Sequence, residues 1–113
     1  MATDIRAVLT NCGVSAQKTR LVIDLVRGKP VAEALNTLKF TNKIAAYHVG
    51  KLLASAVANA EENFGVSRDN LLVYKITADE APTRKWRKFG ARGRFKPLLR
   101  RASHITVVLR EKE

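Results

Sequence analysis

Residues 82–101, PTRKWRKFGARGRFKPLLRR, are the part of this sequence whose residue types and spacing could do chemistry. The stretch contains no acidic residue and nine basic ones: Arg84, Lys85, Arg87, Lys88, Arg92, Arg94, Lys96, Arg100 and Arg101. Lysine and arginine neutralise phosphates and release the counterions condensed on them, so their binding depends steeply on salt. Arginine outnumbers lysine six to three here, which suits forked contacts with phosphate and stacking on bases. The stretch therefore predicts contact with a polyanion.

Three aromatic residues and two glycines lie among these cations. Trp86, Phe89 and Phe95 are candidates for stacking on exposed bases, an interaction worth about 1–3 kcal/mol per base in single-strand binders. Gly90 and Gly93 allow a sharp turn and a close approach of the backbone to RNA. Trp86 could instead anchor a core, but charged neighbours on both sides favour an exposed position.

Catalytic, metal and cofactor chemistry has little support in the rest of the chain. Cys12, His48 and His104 lack the spacing of a metal site. Asp79, Ser103 and His104 contain the residue types of a hydrolytic triad, but no nucleophile motif surrounds the serine. The glycine-rich tip lacks the Lys-Ser/Thr pair and the strand-to-helix setting of a phosphate-binding loop. We therefore expect no enzymatic activity, no cofactor and no metal.

Charge is distributed unevenly along the 113 residues. Residues 1–80 carry ten basic and eight acidic side chains, whereas residues 81–113 carry eleven and two, so most of the net charge of +11 lies in the last third. The length predicts one domain, 1–113, with a single modest core. A lone cysteine fits a reducing cytoplasm, and neither a transmembrane run nor a signal peptide is expected.

Hydrophobic periodicity predicts three helices, the first capped by Ser15 and the third by Thr41 or Asn42. Gly28 and Gly65 stand where helices commonly stop. The predicted bounds are about 15–27, 30–40 and 42–64. The expected apolar stripes are Leu21, Val22, Leu25 and Val26 in the first helix, Val31, Ala34, Leu35 and Leu38 in the second, and Ala45, Val49, Leu52, Leu53, Ala56, Val57, Ala60 and Phe64 in the third.

Three strands are expected at about 5–10, 71–78 and 103–110. In the second strand, Leu72, Tyr74, Ile76 and Ala78 should share one face. In the third, Ile105, Val107 and Leu109 should do so. The sequence thus predicts an α+β fold, in which three helices pack on a small, about three-stranded antiparallel sheet with a long protruding β-hairpin.

The predicted hairpin covers residues 80–102, because its glycines and prolines disfavour a helix there. At about 3.3 Å per residue it could project on the order of 35 Å. An isolated two-stranded hairpin is marginal in water, so we expect a tip that is mobile when free and ordered when bound. A solvated or disordered tail is the competing interpretation, but strands on both sides favour a tethered hairpin.

Five segments together resemble the bacterial large-subunit ribosomal protein twenty-two family. They are residues 15–29 (SAQKTRLVIDLVRGK), 59–60 (NA), 79–82 (DEAP), 91–94 (ARGR) and 103–108 (SHITVV). Each motif alone is weakly specific. The ordered set, which covers essentially the whole chain, is highly specific.

The resemblance implies one domain on the outer surface of the large ribosomal subunit, near the tunnel exit, with a role in early assembly. It implies a hairpin threaded through several domains of large-subunit rRNA. Neighbouring large-subunit proteins and, indirectly, the nascent peptide are the other implied partners, with no membrane and no homo-oligomer. The implied tip at the tunnel wall is Phe89, Gly90, Ala91, Arg92, Gly93 and Arg94. The implied RNA contacts are Lys18, Arg20, Arg27, Lys29, Arg84, Lys85, Trp86, Arg87, Lys88, Arg92, Arg94, Lys96, Arg100 and Arg101.

The chain departs from the family pattern at two places. Ala16 stands where relatives commonly have proline in Ser-Pro-x-Lys. At the tip, Gly90 replaces a usual arginine, and Phe89 and Phe95 are bulkier than the usual residues.

Two other functions are compatible with a basic hairpin. One is a stand-alone nucleic-acid regulator or chaperone, although no helix-turn-helix or RNP aromatic motif is evident. The other is a membrane-active cationic module, although the basic stretch lacks an amphipathic apolar face.

Overall fold

A three-stranded antiparallel sheet packs against three helices. The computed structural model describes residues 4–89 and 95–111, with side chains for all of these except residues 11 and 84–100. The strands of the sheet are β1 (Asp4–Cys12), β2 (Leu71–Glu80) and β5 (Ser103–Glu111), and the helices are α1 (Ala16–Ile23), α2 (Val31–Phe40) and α3 (Ile44–Phe64). The order of strands in the sheet is β1-β5-β2. The α+β prediction is confirmed.

The long helix α3 supplies most of the helical side of the core. Its stripe from Ala45 to Ala60 is buried as predicted, and its small residues allow close packing on β1 and β5. Gly65 ends it in the left-handed conformation. Phe64 was expected on the same stripe, but it is 52% exposed, so that prediction is wrong. It is the last residue of the helix, where the chain turns away towards a short 3-10 turn at Arg68–Asn70.

The predicted cap of α3 is also wrong. The residue before the helix is Lys43, which makes no side-chain capping bond. Thr41 instead belongs to the end of α2, where its hydroxyl donates to the carbonyl of Thr37 at 2.6 Å. Thr41 and Asn42 precede the capping position by two residues and one residue, and the Thr41 side chain is directed back towards α2.

Helix α1 is shorter than predicted. It begins after Ser15, whose hydroxyl accepts from the N–H of Lys18, but it ends at Ile23 rather than near Arg27. The next residues form tighter bonds, in which the N–H of Val26 donates to the carbonyl of Ile23. Val26 is buried in this turn, but Leu25 beside it and Leu21 within the helix are exposed, so the predicted stripe is only half correct.

The loop after α1 is fixed to the outer edge of β2. Gly28 adopts a positive φ of 79°, and its N–H donates to the carbonyl of Val73 at 3.0 Å. The N–H of Val73 in turn donates to the carbonyl of Lys29 at 2.9 Å. The loop therefore covers part of the edge of β2, which, if exposed, could pair with strands of other chains.

A bulge in β2 changes which residues face the core. Leu71 and Val73 are buried, the register shifts between Val73 and Lys75, and Ile76 and Ala78 are buried beyond it. The predicted regular alternation, with Leu72 and Tyr74 on the same face as Ile76, is therefore wrong. An extra residue in a strand shifts the side-chain alternation by one position.

Strand β5 follows the predicted alternation, with Ile105, Val107 and Leu109 fully buried. It pairs with both β1 and β2 and is the central strand.

A separate two-stranded sheet extends from the root formed by β2 and β5. Strand β3 (Arg84–Phe89) pairs antiparallel with β4 (Phe95–Arg100). At the root, the N–H of Ala81 donates to the carbonyl of Ala102 at 3.0 Å. The molecule is 63 Å long and 25 by 18 Å across. The two described strands of the basic stretch are thus extended, as predicted, and pair as the arms of a hairpin.

Two glycines provide a matched test of this fold. Gly50 lies inside α3, where an added Cβ would meet the Cβ of Leu38 at 3.9 Å, an ordinary contact. Gly50→Ala should therefore raise the free energy of unfolding by about 0.5–1 kcal/mol, measured by urea denaturation. Gly65 has a φ of 65°, so Gly65→Ala should lower it by about 1 kcal/mol. Destabilisation by Gly50→Ala would contradict the α2–α3 packing.

Candidate nucleic-acid interface

The β3–β4 register sets positive residues opposite one another. Arg84 lies opposite Arg100, and Lys88 lies opposite Lys96. Like charges directly opposite on neighbouring strands are destabilising, and residues 82–101 contain no acid to offset them. A ribbon of this kind is stabilised by an external polyanion placed against it.

Buried hydroxyl groups hold the root of this ribbon. Ser103, the first residue of β5, is fully buried and donates to the carbonyl of Val14 at 2.8 Å. Thr19 of α1 is also fully buried and donates to the carbonyl of Ser15 at 2.9 Å. The two hydroxyl oxygens are 3.4 Å apart. This network connects α1 to the strand that returns from the hairpin, and no local sequence pattern predicts it.

A cleft of about 100 Å³ lies between the start of α1 and the hairpin root. Gln17, Thr83 and Arg101 line it together with Glu80. Arg101 is the one predicted RNA contact in the cleft, and its side chain is exposed. The structure therefore brings the start of α1 and the base of the cationic ribbon together on one surface.

Two of the predicted contacts around α1 are engaged within the protein. The Nε of Arg20 donates to the carbonyl of Ala78 at 3.0 Å. A terminal nitrogen of Arg27 donates to the carbonyl of Ile76 at 3.0 Å, and the other bonds to Asp24. Both arginines thus satisfy carbonyls on the outer edge of β2, a contact that sequence alone does not reveal.

The two lysines predicted beside them are placed differently. Lys18 is exposed on the first turn of α1, and Lys29 is half-buried in the loop against β2. Neither ammonium group makes a hydrogen bond or an ion pair with another residue that the structure describes, so both are candidates for phosphate contacts.

Arg110 is a cation that the sequence analysis did not select, and the structure gives it an internal role. It makes a two-bond contact with Asp4, at 2.8 and 3.2 Å, and its guanidinium lies 3.4 Å from the ring centroid of Tyr74. The hydrogen bond from Arg110 lowers the pKa of the Asp4 carboxyl. These contacts cross all three strands on the side of the sheet away from the helices.

The predicted hairpin site is described through its backbone. Arg84, Lys85, Trp86, Arg87, Lys88 and Phe89 lie in β3, and Lys96 and Arg100 lie in β4. The remaining tip positions lie outside the described residues, namely Gly90, Ala91, Arg92, Gly93 and Arg94.

Other kinds of site find no support in the part of the chain that the structure describes. Among residues 4–89 and 95–111, no group of three or more His, Cys, Asp or Glu side chains could hold a metal ion. No helix there is long and apolar enough to cross a membrane.

A nearly neutral body that carries an acid-free basic ribbon defines a class of protein that binds a shaped polyanion, above all RNA. Comparison with known sequences identifies the family. The family described as ribosomal protein L22p/L17e matches residues 7–110. The chain belongs to this family.

Curated relatives cover almost the whole chain. The large ribosomal subunit protein uL22 of Thermoanaerobacter sp. (strain X514) is 50% identical over 110 residues, which is 97% of this chain and 99% of that protein. The uL22 of Thermoanaerobacter pseudethanolicus gives the same values. That of Pediococcus pentosaceus is 47% identical over 111 residues, covering 98% of this chain and 94% of its own length.

The two kinds of cation on α1 can be separated by mutation. Arg20→Ala should lower the free energy of unfolding by about 1 kcal/mol, because it leaves the Ala78 carbonyl without its donor. Lys18→Ala should change it by less than about 0.5 kcal/mol, as is usual for an exposed side chain. Thermal or urea denaturation of the free protein checks both. Equal effects of the two substitutions would mean that the Arg20 contact contributes nothing to the fold.

Proposed function

We propose that this protein is a structural constituent of the large ribosomal subunit and that residues 80–102 bind large-subunit rRNA. The observation that carries the proposal is the β3–β4 register, which sets Arg84 opposite Arg100 and Lys88 opposite Lys96 in a segment without acids. Membership of a ribosomal protein family and relatives named as large ribosomal subunit proteins support it. A protein of this family has a structural role and is not an enzyme.

Folded rRNA suits the ribbon better than a simple duplex. Phosphate contacts position a protein but do not read sequence. Folded RNA adds a shaped cavity, unstacked bases and 2′-hydroxyls, so a long ribbon can be surrounded on several sides. We also propose contacts with several rRNA domains and a role in early assembly, because a ribbon surrounded by folded RNA would join segments that are distant in the RNA sequence.

The tip, residues 89–94, is proposed to line the nascent-peptide tunnel, with the body at the subunit surface beside other large-subunit proteins. The order of elements supports this arrangement, because β2 and β5 end at the root from which β3 and β4 extend. In the single domain 1–113, the body would remain outside while the ribbon enters the RNA.

The first test is the location of the tagged protein in cells. It should co-sediment with large subunits in sucrose gradients run at high salt, because an RNA-enclosed ribbon is retained when loosely bound proteins dissociate. Recovery only in ribosome-free fractions would overturn the proposal in favour of a stand-alone nucleic-acid-binding protein.

A second test compares two double variants that lose the same charges. Arg84→Gln with Lys88→Gln removes two cations from the ribbon. The control, Arg6→Gln with Lys75→Gln, removes an exposed arginine and lysine on either side of Val108 on the sheet. The test measures the slope of the logarithm of the rRNA-binding constant against the logarithm of the salt concentration. This slope should become shallower by about 1.5 in the first variant and stay almost unchanged in the control.

The ribbon variant should remain folded, because its substitutions relieve the repulsion between opposing strands. Identical salt slopes for the two variants would mean that the body, rather than the hairpin, carries the phosphate contacts.

A further inference from the structure

The junction of α2 and α3 presents large apolar side chains to solvent. Phe40 is 81% exposed, Ile44 is 75% exposed and Tyr47 is 62% exposed. Among the described residues, these three and Leu21 are the four most exposed large hydrophobic side chains. Ile44 and Tyr47 are one turn apart on the same face of α3, so that at least these two form a continuous surface.

Lysines accompany these side chains closely. The Nζ of Lys39 lies 5.9 Å from the ring centroid of Phe40, and the Nζ of Lys51 lies 4.9 Å from that of Tyr47. Lys43, between the two helices, is also exposed. We use the name corner patch for the exposed side chains on either side of the α2–α3 junction, namely Lys39, Phe40, Lys43, Ile44, Tyr47 and Lys51.

No negative charge offsets these lysines along the chain. Residues 34–60 contain three lysines and no Asp or Glu. The nearest acids in sequence are Glu33 before this segment and Glu61 after it. The corner patch is therefore locally cationic, although residues 1–80 as a whole are nearly neutral.

We propose that the corner patch binds unstacked nucleotides of RNA, at a site separate from the hairpin. An exposed ring with an ammonium group beside it offers the two groups that a nucleotide uses, since the base stacks on the ring and the phosphate pairs with the lysine. The proposal rests on the proposed function, in that the RNA is that of the subunit in which the protein resides.

A protein partner fits the corner patch less well. Lysine is depleted from protein–protein interfaces, whereas aromatic rings and arginine are enriched there. All three charged residues of the patch are lysines, and two of them lie over its rings. Aromatic platforms within a positive groove are instead the usual construction of single-strand RNA sites.

Site-specific photo-cross-linking tests the proposal in assembled subunits. The photoreactive residue p-benzoylphenylalanine is placed at position 40 or 47 of the full chain, and large subunits are purified and irradiated. Position 64 is the matched control, because Phe64 is also an exposed aromatic of α3 but lies beside Glu61 and Glu62. We expect RNase-sensitive adducts from positions 40 and 47 and none from position 64.

The possible outcomes separate this inference from the proposed function. Protein adducts, or no adducts, from positions 40 and 47 in subunits that contain the protein would overturn the corner patch and leave the hairpin proposal standing. RNA adducts of equal yield from position 64 would also overturn it, since they would reflect general proximity to RNA. Failure of the chain to enter large subunits would overturn both.

Substitutions give a quantitative second readout. Phe40→Ala with Tyr47→Ala should weaken incorporation, in competition with the wild-type chain for limiting rRNA, by about ten-fold or more. Its melting temperature should be unchanged, because both side chains are exposed. Replacing Lys39, Lys43 and Lys51 with glutamine should reduce the salt slope by about 2. Phe64→Ala is the control for the ring variants. If the variant with Phe40→Ala and Tyr47→Ala competes with the wild-type chain as well as Phe64→Ala does, the proposal is contradicted.

Discussion

Repulsion between the arms of the β3–β4 ribbon is the constraint on which the rest of this structure depends. At two of its six paired positions arginine lies opposite arginine or lysine opposite lysine, and neither strand contains an acid. Two-stranded sheets are marginal in water even without such repulsion. The body must therefore fix the direction of the ribbon at its root, and the partner must supply the negative charge along its length.

The root meets the first requirement with buried polar contacts as well as apolar packing. Ser103 and Thr19 are fully buried, and each hydroxyl donates to a backbone carbonyl next to the start of α1. Buried hydroxyls that are fully satisfied favour one arrangement over others, because any shift leaves a donor or acceptor unpaired. The same helix also carries Arg20, which bonds to β2, the strand that leads into the ribbon.

The sequence predicts the elements of this fold better than their details. Helix α2 and strand β5 follow regular periods and were predicted correctly, because nothing interrupts the alternation of their apolar residues. Helix α1 and strand β2 were predicted less well. A tightened turn after Ile23 and a bulge at Val73–Lys75 each shift the period, and both lie next to pairing with a distant part of the chain, Gly28 and Lys29 with Val73 in the first case and β2 with β5 in the second. Local propensity contains no information about such pairing.

The candidate site, like the fold, could be predicted from the sequence only in part. A basic residue is visible in any sequence, but whether its charge is available to a ligand depends on tertiary contacts. Arg27 and Arg110 are as basic as the residues of the ribbon, yet the structure engages Arg27 with β2 and Asp24, and Arg110 with Asp4 and Tyr74. Such engagement reduces the charge that the body presents to a polyanion. The ribbon, whose sequence offers no acidic partner, retains its charge for the ligand, so it is the largest cationic surface for RNA, and the corner patch on the body is a smaller, separate one.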